Sequence, residues 1–231
     1  MYPITPVGYV ESPYKEKFAV PRQPGLVPSA TAKIHLTGEA NCRESIRGIE
    51  QFSHLWLLFL FDKNLEKGWK PTVRPPRLGG NERIGVFASR ATFRPNGIGM
   101  SAVKLLGTEV SGDQVSLIVG SIDLVDNTPI VDIKPYIPYS DAISDARGGY
   151  ADKEPNTIEV QFSSSATSSL LTADDPQTLK NVIEQVLAQD PRPAYKKRQQ
   201  DDKEYAVNLF DFNVKFIVTD NLATVTAIEG F

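Results

Sequence analysis

The sequence predicts a mainly β protein, in which an antiparallel sheet curls into a single-sheet β-barrel and a small α+β domain follows. Between residues 52 and 138, short apolar or alternating runs recur between turn signals. Those runs are rich in β-branched and aromatic residues, and no long helical period separates them, which favours an antiparallel barrel. Beyond residue 157, one clear helical period is followed by alternating runs, which indicates the second domain.

Five strands are predicted for the first domain, given in chain order. They are "FSHLWLLFLF", "RIGVFASRATF", "IGMSAVKLLGTEV", "QVSLIVGSIDLV" and "PIVDIKPYI". The segments between them are "KNLEKG", "RPNG", "SGD" and "DNTP". "VSGDQV" predicts a hairpin, and in "RPNG" the proline fixes one turn position while Asn-Gly accepts positive φ.

The second domain is predicted from a helix and two strands. We place the first domain at 1–142, a Gly-, Asp- and Pro-rich linker at 143–156 and the second domain at 157–231. In "TADDPQTLKNVIEQVLAQD", Asp174 or Asp175 caps a helix, Pro176 suits its first turn and Pro191 ends it. Its apolar face is Leu179, Val182, Ile183, Val186 and Leu187. "YAVNLFDFNVKFIVTD" predicts one strand, and "NLATVTAIEG" predicts its return partner.

Composition limits the class of protein. The chain has 231 residues, of which 41% are hydrophobic and 23% charged, as in ordinary globular proteins. Its longest apolar run, "LWLLFLF", is too short to span a bilayer and no charged-then-apolar leader precedes it, so we expect a cytoplasmic protein without a membrane partner. One cysteine and two histidines give no zinc-ligand spacing, and we expect no metal.

The net charge of −3 conceals a split along the chain. Residues 1–140 carry sixteen Lys and Arg against thirteen Asp and Glu, whereas residues 141–231 carry nine against fifteen. Between residues 70 and 94, six Lys and Arg are opposed only by Glu82. This stripe faces either an anionic partner or plain solvent.

Common enzyme motifs are missing from the sequence. It has no GxxxxGK[ST] loop and no GxGxxG after a strand, which argues against P-loop and Rossmann-type nucleotide sites. A hydrolase pairing Ser101 with His54 has no GxSxG elbow to support it, although it stays an alternative. Asp123, Asp126 and Asp132 surround a turn, where turn chemistry and acid–base chemistry are both reasonable.

Three ordered motifs carry a family resemblance. "SPYKEKFAVPRQPG", "RPPRLGGNERIGVFASRATFRPNGIGMS" and "GSIDLVDNTPIVDIKPY" closely resemble the TrmO (TsaA/YaeB-like) family, and "VLAQDPRPAYKK" and "YAVNLFDFNVKF" resemble its bacterial form. The resemblance implies a homodimeric, non-Rossmann methyltransferase. It would transfer a methyl group from S-adenosylmethionine to N6 of threonylcarbamoyladenosine at position 37, in the anticodon loop of tRNA. Family members usually read RPNP, whereas this chain has Gly97, and we expect a looser turn there.

The resemblance also implies a set of cofactor contacts. They are Gln23, Pro24, Gly25, Asp62, Lys63, Arg90, Met100, Gly120, Ser121, Ile122 and Asp123. These residue types suit S-adenosylmethionine. Its sulfonium favours nearby acceptors, its methionine carboxylate favours arginine or backbone N–H, and its adenine favours an apolar wall. Relatives often carry a His-Gln-like pair in place of Asp62-Lys63.

Catalytic and tRNA contacts are expected from the same motifs. Candidate proton acceptors are Asp126, Asp132 and Tyr136, for which barrel-rim structure is the alternative role. Candidate tRNA contacts are Tyr14, Lys15, Lys17, Arg22, Arg74, Arg77, Arg94, Asn96, Lys134, Arg192, Tyr195, Lys196 and Lys197. Tyr14 and Phe18 equally suit a buried core, and "RPAYKKR" equally suits a solvated loop. A non-enzymatic RNA-binding barrel is the alternative function.

Overall fold

The computed structural model describes residues 3–193, 196–197 and 203–231. Its strands and helices, apart from short 3₁₀ turns, are β1 (Gly8–Glu11), β2 (Thr31–Leu36), β3 (His54–Leu60), α1 (Asp62–Leu65), β4 (Thr72–Val73), β5 (Ile84–Gly85), β6 (Ile98–Ser111), β7 (Gln114–Gly120), β8 (Pro129–Pro135), α2 (Pro138–Asp141), β9 (Glu159–Phe162), α3 (Ser164–Leu170), α4 (Pro176–Ala188), β10 (Tyr205–Leu209), β11 (Phe212–Thr219) and β12 (Leu222–Gly230).

The described residues divide into two compact units. The first unit comprises those within Met1–Glu11, Ala32–Gly120 and Asn127–Lys153. The second comprises those within Ser12–Thr31, Ser121–Asp126 and Glu154–Phe231. The "SPYKEKFAVPRQPG" and "SIDLVD" segments therefore belong to the same unit as the C-terminal elements, although they are distant from them in sequence.

An antiparallel sheet forms the first unit. Among the described residues its strands follow the order β1, β2, β7, β6, β3, β8, and β1 also pairs with β8 at Gly8–Ile130 and Tyr9–Pro129. Along β3, Leu55, Leu57 and Phe59 are buried while the residues between them are partly exposed, as expected when one sheet face covers a core. The prediction of a mainly β fold built on an antiparallel sheet is confirmed. The predicted hairpin is also confirmed, because Ser111 pairs with Gln114 across a two-residue turn.

"RIGVFASRATF" is not the predicted strand. Only Ile84 and Gly85 pair, with β4, and a 3₁₀ turn over Val86–Ala88 follows. Val86 is buried but Phe87 and Ala88 are both exposed, so burial does not alternate along this segment as it does on a sheet face. The segment from Val86 to the "RPNG" turn is instead a long loop of the first unit.

A four-stranded sheet and two helices form the C-terminal part of the second unit. The strand order among the described residues is β10, β11, β12, β9, with β9 parallel to β12 and the other pairs antiparallel. The helix prediction is confirmed: the Asp175 carboxylate accepts the Thr178 N–H at 3.0 Å, Pro176 begins α4, and the predicted apolar face is buried.

The single strand predicted over 205–220 is wrong. Residues 205–219 form the hairpin β10–β11, in which Leu209 pairs with Phe212 and Phe210 takes φ = 53° at the turn. Aromatic residues at the turn imitate a continuing strand pattern, and a left-handed phenylalanine is uncommon, so no local signal marks the reversal.

The part of the chain that the structure describes contains no helix both long enough and apolar enough to cross a membrane.

Candidate active site

Two of the segments expected to contact cofactor meet in the second unit. The Gly25 N–H donates to the Ser121 carbonyl at 3.0 Å, and the Ser121 N–H donates to the Ala30 carbonyl at 2.9 Å. Gly25 takes φ = 88° and Ser121 takes φ = 57°, so both segments turn sharply where they touch. Ile122 is fully buried and anchors the second segment beside the half-buried Asp123. The structure therefore brings Gln23–Gly25 and Ser121–Asp123 together.

The backbone at Gly25 borders open space. A Cβ built on Gly25 meets no atom of the described residues within 4 Å. Its positive φ favours glycine, and the absence of a side chain leaves the peptide groups of this turn accessible to a ligand. The segment thus has the form that a backbone-recognised cofactor requires.

Tyr14 lies in the core of the second unit, which contradicts its prediction as a tRNA-stacking residue. Its side chain is 0% exposed, and it forms a β-bridge with Leu209. Burial, assisted by the nearby Asp123 carboxylate, raises the pKa of the Tyr14 phenol far above its usual range. The raised pKa keeps the phenol neutral, near the Asp123 segment that is expected to contact the cofactor. Among the described residues its buried hydroxyl has no hydrogen-bond partner.

Asp126 holds the "SPYK" segment in place. One carboxylate oxygen accepts the Ser12 N–H at 2.8 Å and the other accepts from the Lys15 ammonium at 3.1 Å. The Ser12 hydroxyl donates to the Leu124 carbonyl at 2.8 Å. This arrangement matches the turn-structure alternative for Asp126, and it engages Lys15, one of the expected tRNA contacts, in an ion pair.

Strand register places Met100 and Asp132 on one face of the first unit. Leu58 of β3 lies opposite Met100 of β6 on one side and opposite Asp132 of β8 on the other. Directly opposite residues point to the same face of a sheet, and Met100 is 54% exposed, so this face is the outer one. The Asp132 carboxylate accepts the Ile133 N–H at 2.9 Å and pairs with the Lys134 ammonium at 2.8 Å.

Tyr136 belongs to an aromatic cluster on the same strands. Its ring lies 5.5 Å from the Trp56 ring and 6.3 Å from the His54 ring, measured between centroids. The Trp56 indole N–H donates to the Asp141 carboxylate at 2.8 Å. His54 lies opposite Lys104, whereas Ser101 lies opposite Leu57 and is buried. His54 and Ser101 therefore face opposite sides of the sheet, which excludes the hydrolase pair.

Arg90 and Arg94 occupy the long loop of the first unit in different ways. Arg90 is exposed, as a ligand-binding arginine requires. The Arg94 guanidinium donates to the carbonyls of Val86 and Ser89 at 3.2 and 2.7 Å. Arg94 therefore stabilises the conformation of this loop.

Asp62 and Lys63 begin α1, immediately after β3. The Phe61 N–H donates to the Gly97 carbonyl at 2.7 Å, so α1 starts beside the "RPNG" turn. The structure thus places these two residues next to the turn that carries Asn96.

Gly97 does not form the looser version of a proline turn that we expected. Its φ is 61°, which lies outside the range of about −65 ± 15° that proline adopts. Its N–H also donates to the Arg94 carbonyl at 3.1 Å, a bond that proline lacks the hydrogen to make. The turn in this chain is therefore specific to glycine, with a backbone different from that of an RPNP turn.

The remaining candidate tRNA contacts differ in exposure. Lys17, Arg22, Arg74, Asn96 and Lys134 are exposed, while Arg77 is partly buried and donates to the Lys153 carbonyl.

Arg192 contradicts its prediction as a tRNA contact. It is 5% exposed and makes two hydrogen bonds, of 2.8 and 3.1 Å, to the Asp190 carboxylate. Lys197 donates to the Asp190 carbonyl, and burial is the main cause that lowers its pKa. Lys196 is partly exposed, and Tyr195 lies outside the described residues.

Sequence reasoning missed the residues that support the Gln23–Gly25 segment from α4. The Gln185 side chain bonds the backbone and hydroxyl of Ser29, and the Gln189 side chain donates to the Leu26 carbonyl. The partners are more than 150 positions apart in sequence. No local pattern signals such contacts.

Comparison with known proteins agrees with this arrangement of motifs. The family model of the tRNA-methyltransferase O N-terminal domain matches residues 9–142, and that of the TrmO C-terminal domain matches residues 155–231. The tRNA (adenine(37)-N6)-methyltransferase of Escherichia coli is 54% identical over 226 residues, which cover 96% of each chain. A Pseudomonas aeruginosa protein provisionally named an S-adenosylmethionine-dependent methyltransferase is 48% identical over 91% of this chain and 90% of its own.

A solved structure agrees as well. The crystal structure of TrmO from Pseudomonas aeruginosa aligns with a TM-score of 0.82 and 40% identity, covering 100% of this chain and 99% of that one. Matches to both family domains, together with likeness along the whole chain, confirm the resemblance read from the motifs. The chain belongs to the tRNA-methyltransferase O family.

Proposed function

We propose that this protein is an S-adenosylmethionine-dependent methyltransferase that methylates N6 of the adenosine at position 37 of tRNA. The observation that carries the proposal is the 54% identity, along 96% of both chains, to a relative named for that reaction. The finer proposal is that the substrate base carries threonylcarbamoyl, on threonine-accepting tRNA, as the family resemblance implies.

The donor set of the chain fits the cofactor. The open space at Gly25 allows a ligand to approach the backbone closely, the half-buried Asp123 carboxylate is an acceptor for a sulfonium, and the exposed Arg90 is a cation for a carboxylate. The full proposed set is Gln23, Pro24, Gly25, Asp62, Lys63, Arg90, Met100, Gly120, Ser121, Ile122 and Asp123. When bound, S-adenosylmethionine supplies an electrophilic methyl group on its sulfonium.

Methyl transfer forms a bond from N6 to the methyl carbon while the carbon–sulfur bond breaks and its electron pair stays on sulfur. The protein gains most by aligning nitrogen, carbon and sulfur, because positioning alone supplies several kcal/mol. The proton on N6 must also leave. We assign its acceptance to Asp132, directly or through water, because its side chain is 45% exposed on the outer face with Met100, whereas that of Asp126 is only 18% exposed. Tyr136 is the weaker candidate because its ring packs in the aromatic cluster with Trp56 and His54.

We propose that tRNA is contacted by basic and polar side chains that are exposed or, for Lys196, partly exposed. Lys17, Arg22, Arg74, Asn96, Lys134 and Lys196 offer donors to phosphates of a single-stranded loop. We further propose that residues 1–142 form a β-barrel methyltransferase domain, that 143–156 link it to a tRNA-binding accessory domain at 157–231, and that the protein works as a homodimer.

Labelled methyl transfer tests the proposal. Purified protein is incubated with methyl-labelled S-adenosylmethionine and two tRNA preparations, one with threonylcarbamoyl at adenosine 37 and one without it. We expect label only in the modified preparation. Equal label in both would overturn the threonylcarbamoyl requirement. No label in either, from folded protein that binds tRNA, would favour a non-enzymatic RNA-binding protein.

A further inference from the structure

The proposed cofactor segment at Gln23–Gly25 is continued by a loop without regular structure. Residues 26–30 contain no strand or helix, so their conformation depends on individual hydrogen bonds. Within the loop, the Ala30 N–H donates to the Val27 carbonyl at 3.1 Å. Val27 and Ala30 are fully buried, which fixes one side of the loop in the core of the second unit.

Two glutamines bond the other side of this loop, Gln185 on α4 and Gln189 directly after its last residue. The Gln185 carbonyl oxygen accepts the Ser29 N–H at 2.9 Å, and its amide N–H₂ donates to the Ser29 hydroxyl at 2.8 Å. The Gln189 amide donates to the Leu26 carbonyl at 3.2 Å. Gln189 is the residue directly after α4 and keeps a helical backbone, so it lies on the same side as Gln185, four positions earlier.

The bonded loop leads directly to the proposed cofactor contacts. Leu26 is the neighbour of Gly25, whose N–H donates to the Ser121 carbonyl, and the Ser121 N–H returns to the Ala30 carbonyl. The two cofactor segments and the loop therefore form one hydrogen-bonded network. Gln189 bonds this network at Leu26, and Gln185 bonds it at Ser29. Movement of the loop would displace both segments.

We propose that Gln185 and Gln189 are positioning residues that preorganise the cofactor segments, so that the C-terminal domain sets affinity for S-adenosylmethionine. This inference rests on the proposed function, because it takes Gln23–Gly25 and Ser121–Asp123 to contact the cofactor. A loop that is ordered before binding loses less conformational freedom when the ligand binds. Loss of the bonds therefore weakens cofactor affinity even though neither glutamine touches the cofactor.

Calorimetric titration with S-adenosylmethionine tests the inference on the full chain. Gln185→Ala removes two hydrogen bonds, and we expect roughly three- to tenfold weaker binding. Gln185→Glu is the conservative variant, because a carboxylate accepts both the Ser29 N–H and the Ser29 O–H, and we expect near wild-type affinity. The matched control is Gln177→Ala on the exposed face of α4, where the Gln177 side chain donates to the Asn181 side chain.

A second readout separates positioning from a general loss of structure. In the methyl-transfer reaction, Gln185→Ala should raise KM for S-adenosylmethionine while kcat at saturating cofactor and affinity for tRNA stay near wild type. If Gln185→Ala does not fold, Gln189→Ala, which loses one bond, takes its place.

Two results would count against the inference, and a third would count against the proposed function. Equal cofactor affinity in wild type and Gln185→Ala, or an equal loss in Gln177→Ala, would overturn the inference. Wild-type protein that binds no S-adenosylmethionine would overturn the proposed function itself.

Discussion

At Gly97 the backbone conformation decides which residue the turn accepts. A side chain in the left-handed region costs about 1–2 kcal/mol, because Cβ approaches the following carbonyl. Gly97 also packs against α1, since a Cβ there would lie 2.3 Å from Leu65 Cδ2. The glycine at this position therefore determines how the turn is built and how it packs on α1.

Substitution of Gly97 tests this account. We expect Gly97→Ala to lower the free energy of unfolding by about 1–2 kcal/mol, and Gly97→Pro to lower it further, because it also removes the bond to the Arg94 carbonyl. Gly85→Ala is the control, because Gly85 has negative φ and open space around it. Urea denaturation measures the differences. A Gly97→Pro protein as stable as wild type would contradict the assigned turn.

Substitution of Asp126 is expected to affect stability, whereas substitution of Asp132 is expected to affect turnover. Asp126→Ala removes the acceptor of Ser12 and Lys15, so it should lower the free energy of unfolding by roughly 2 kcal/mol. Asp132→Asn should leave stability near wild type and lower kcat by about a hundredfold or more, as loss of a general base does. Denaturation and single-turnover methyl transfer measure the two quantities. Unchanged turnover in Asp132→Asn would remove it as the proton acceptor.

At the scale of elements, α4 serves both the core and the proposed cofactor segments. Its apolar face fills the second unit, while Gln185 and Gln189 on a neighbouring face bond the loop. The start of the helix depends on Asp175, whose pKa is lowered because its carboxylate accepts the Thr178 N–H.

The Asp175 cap predicts a pH-dependent contribution to stability. Because the pKa is lowered in the folded state, the ionised carboxylate stabilises the fold above the ordinary aspartate pKa of about 3.9. That stabilisation is lost as pH falls through the lowered value. Asp175→Ala should therefore lower the melting temperature at pH 7, and the difference from wild type should shrink in acid. Asp174→Ala, which removes the neighbouring carboxylate outside the cap, should have little effect at either pH. A difference for Asp175→Ala that persists below that lowered pKa would contradict the cap.

Elements with strong local signals could be predicted from the sequence. The helix α4, with its cap and apolar period, and the β6–β7 hairpin, with its Gly-Asp turn, each carry their signal within a few residues. The segment at 83–93 and the reversal at Phe210 have the period of a strand, and only tertiary contacts show otherwise. The bonds of Gln185 and Asp126 join residues more than 100 positions apart, where periodicity carries no information.

At the scale of the whole molecule, charge is distributed unevenly along the chain. The chain is acidic overall, yet the stripe between residues 70 and 94 is basic. Association with tRNA is therefore expected to depend on a local positive surface and to weaken with salt.

The exposed Arg74 provides a test of that electrostatic surface. We expect Arg74→Ala to weaken tRNA binding and to reduce the slope of log affinity against log salt by about 0.7, as loss of one contact to a single-stranded phosphate does. Affinity for S-adenosylmethionine should not change. Binding isotherms at several salt concentrations measure the slope, and Lys215→Ala, on the C-terminal sheet and paired with Glu229, is the control. A slope equal to wild type would remove Arg74 from the tRNA surface.

Nucleoside mass spectrometry shows whether the protein methylates N6 of the adenosine at position 37. Threonine-accepting tRNA with threonylcarbamoyladenosine at position 37 is incubated with the protein and S-adenosylmethionine, digested to nucleosides and analysed for the position of any added methyl group. The account predicts one added methyl on N6 of the modified adenosine and on no other nucleoside. A methyl group elsewhere in the tRNA would contradict this expectation. So would tRNA that gains no methyl group although the protein binds both S-adenosylmethionine and tRNA.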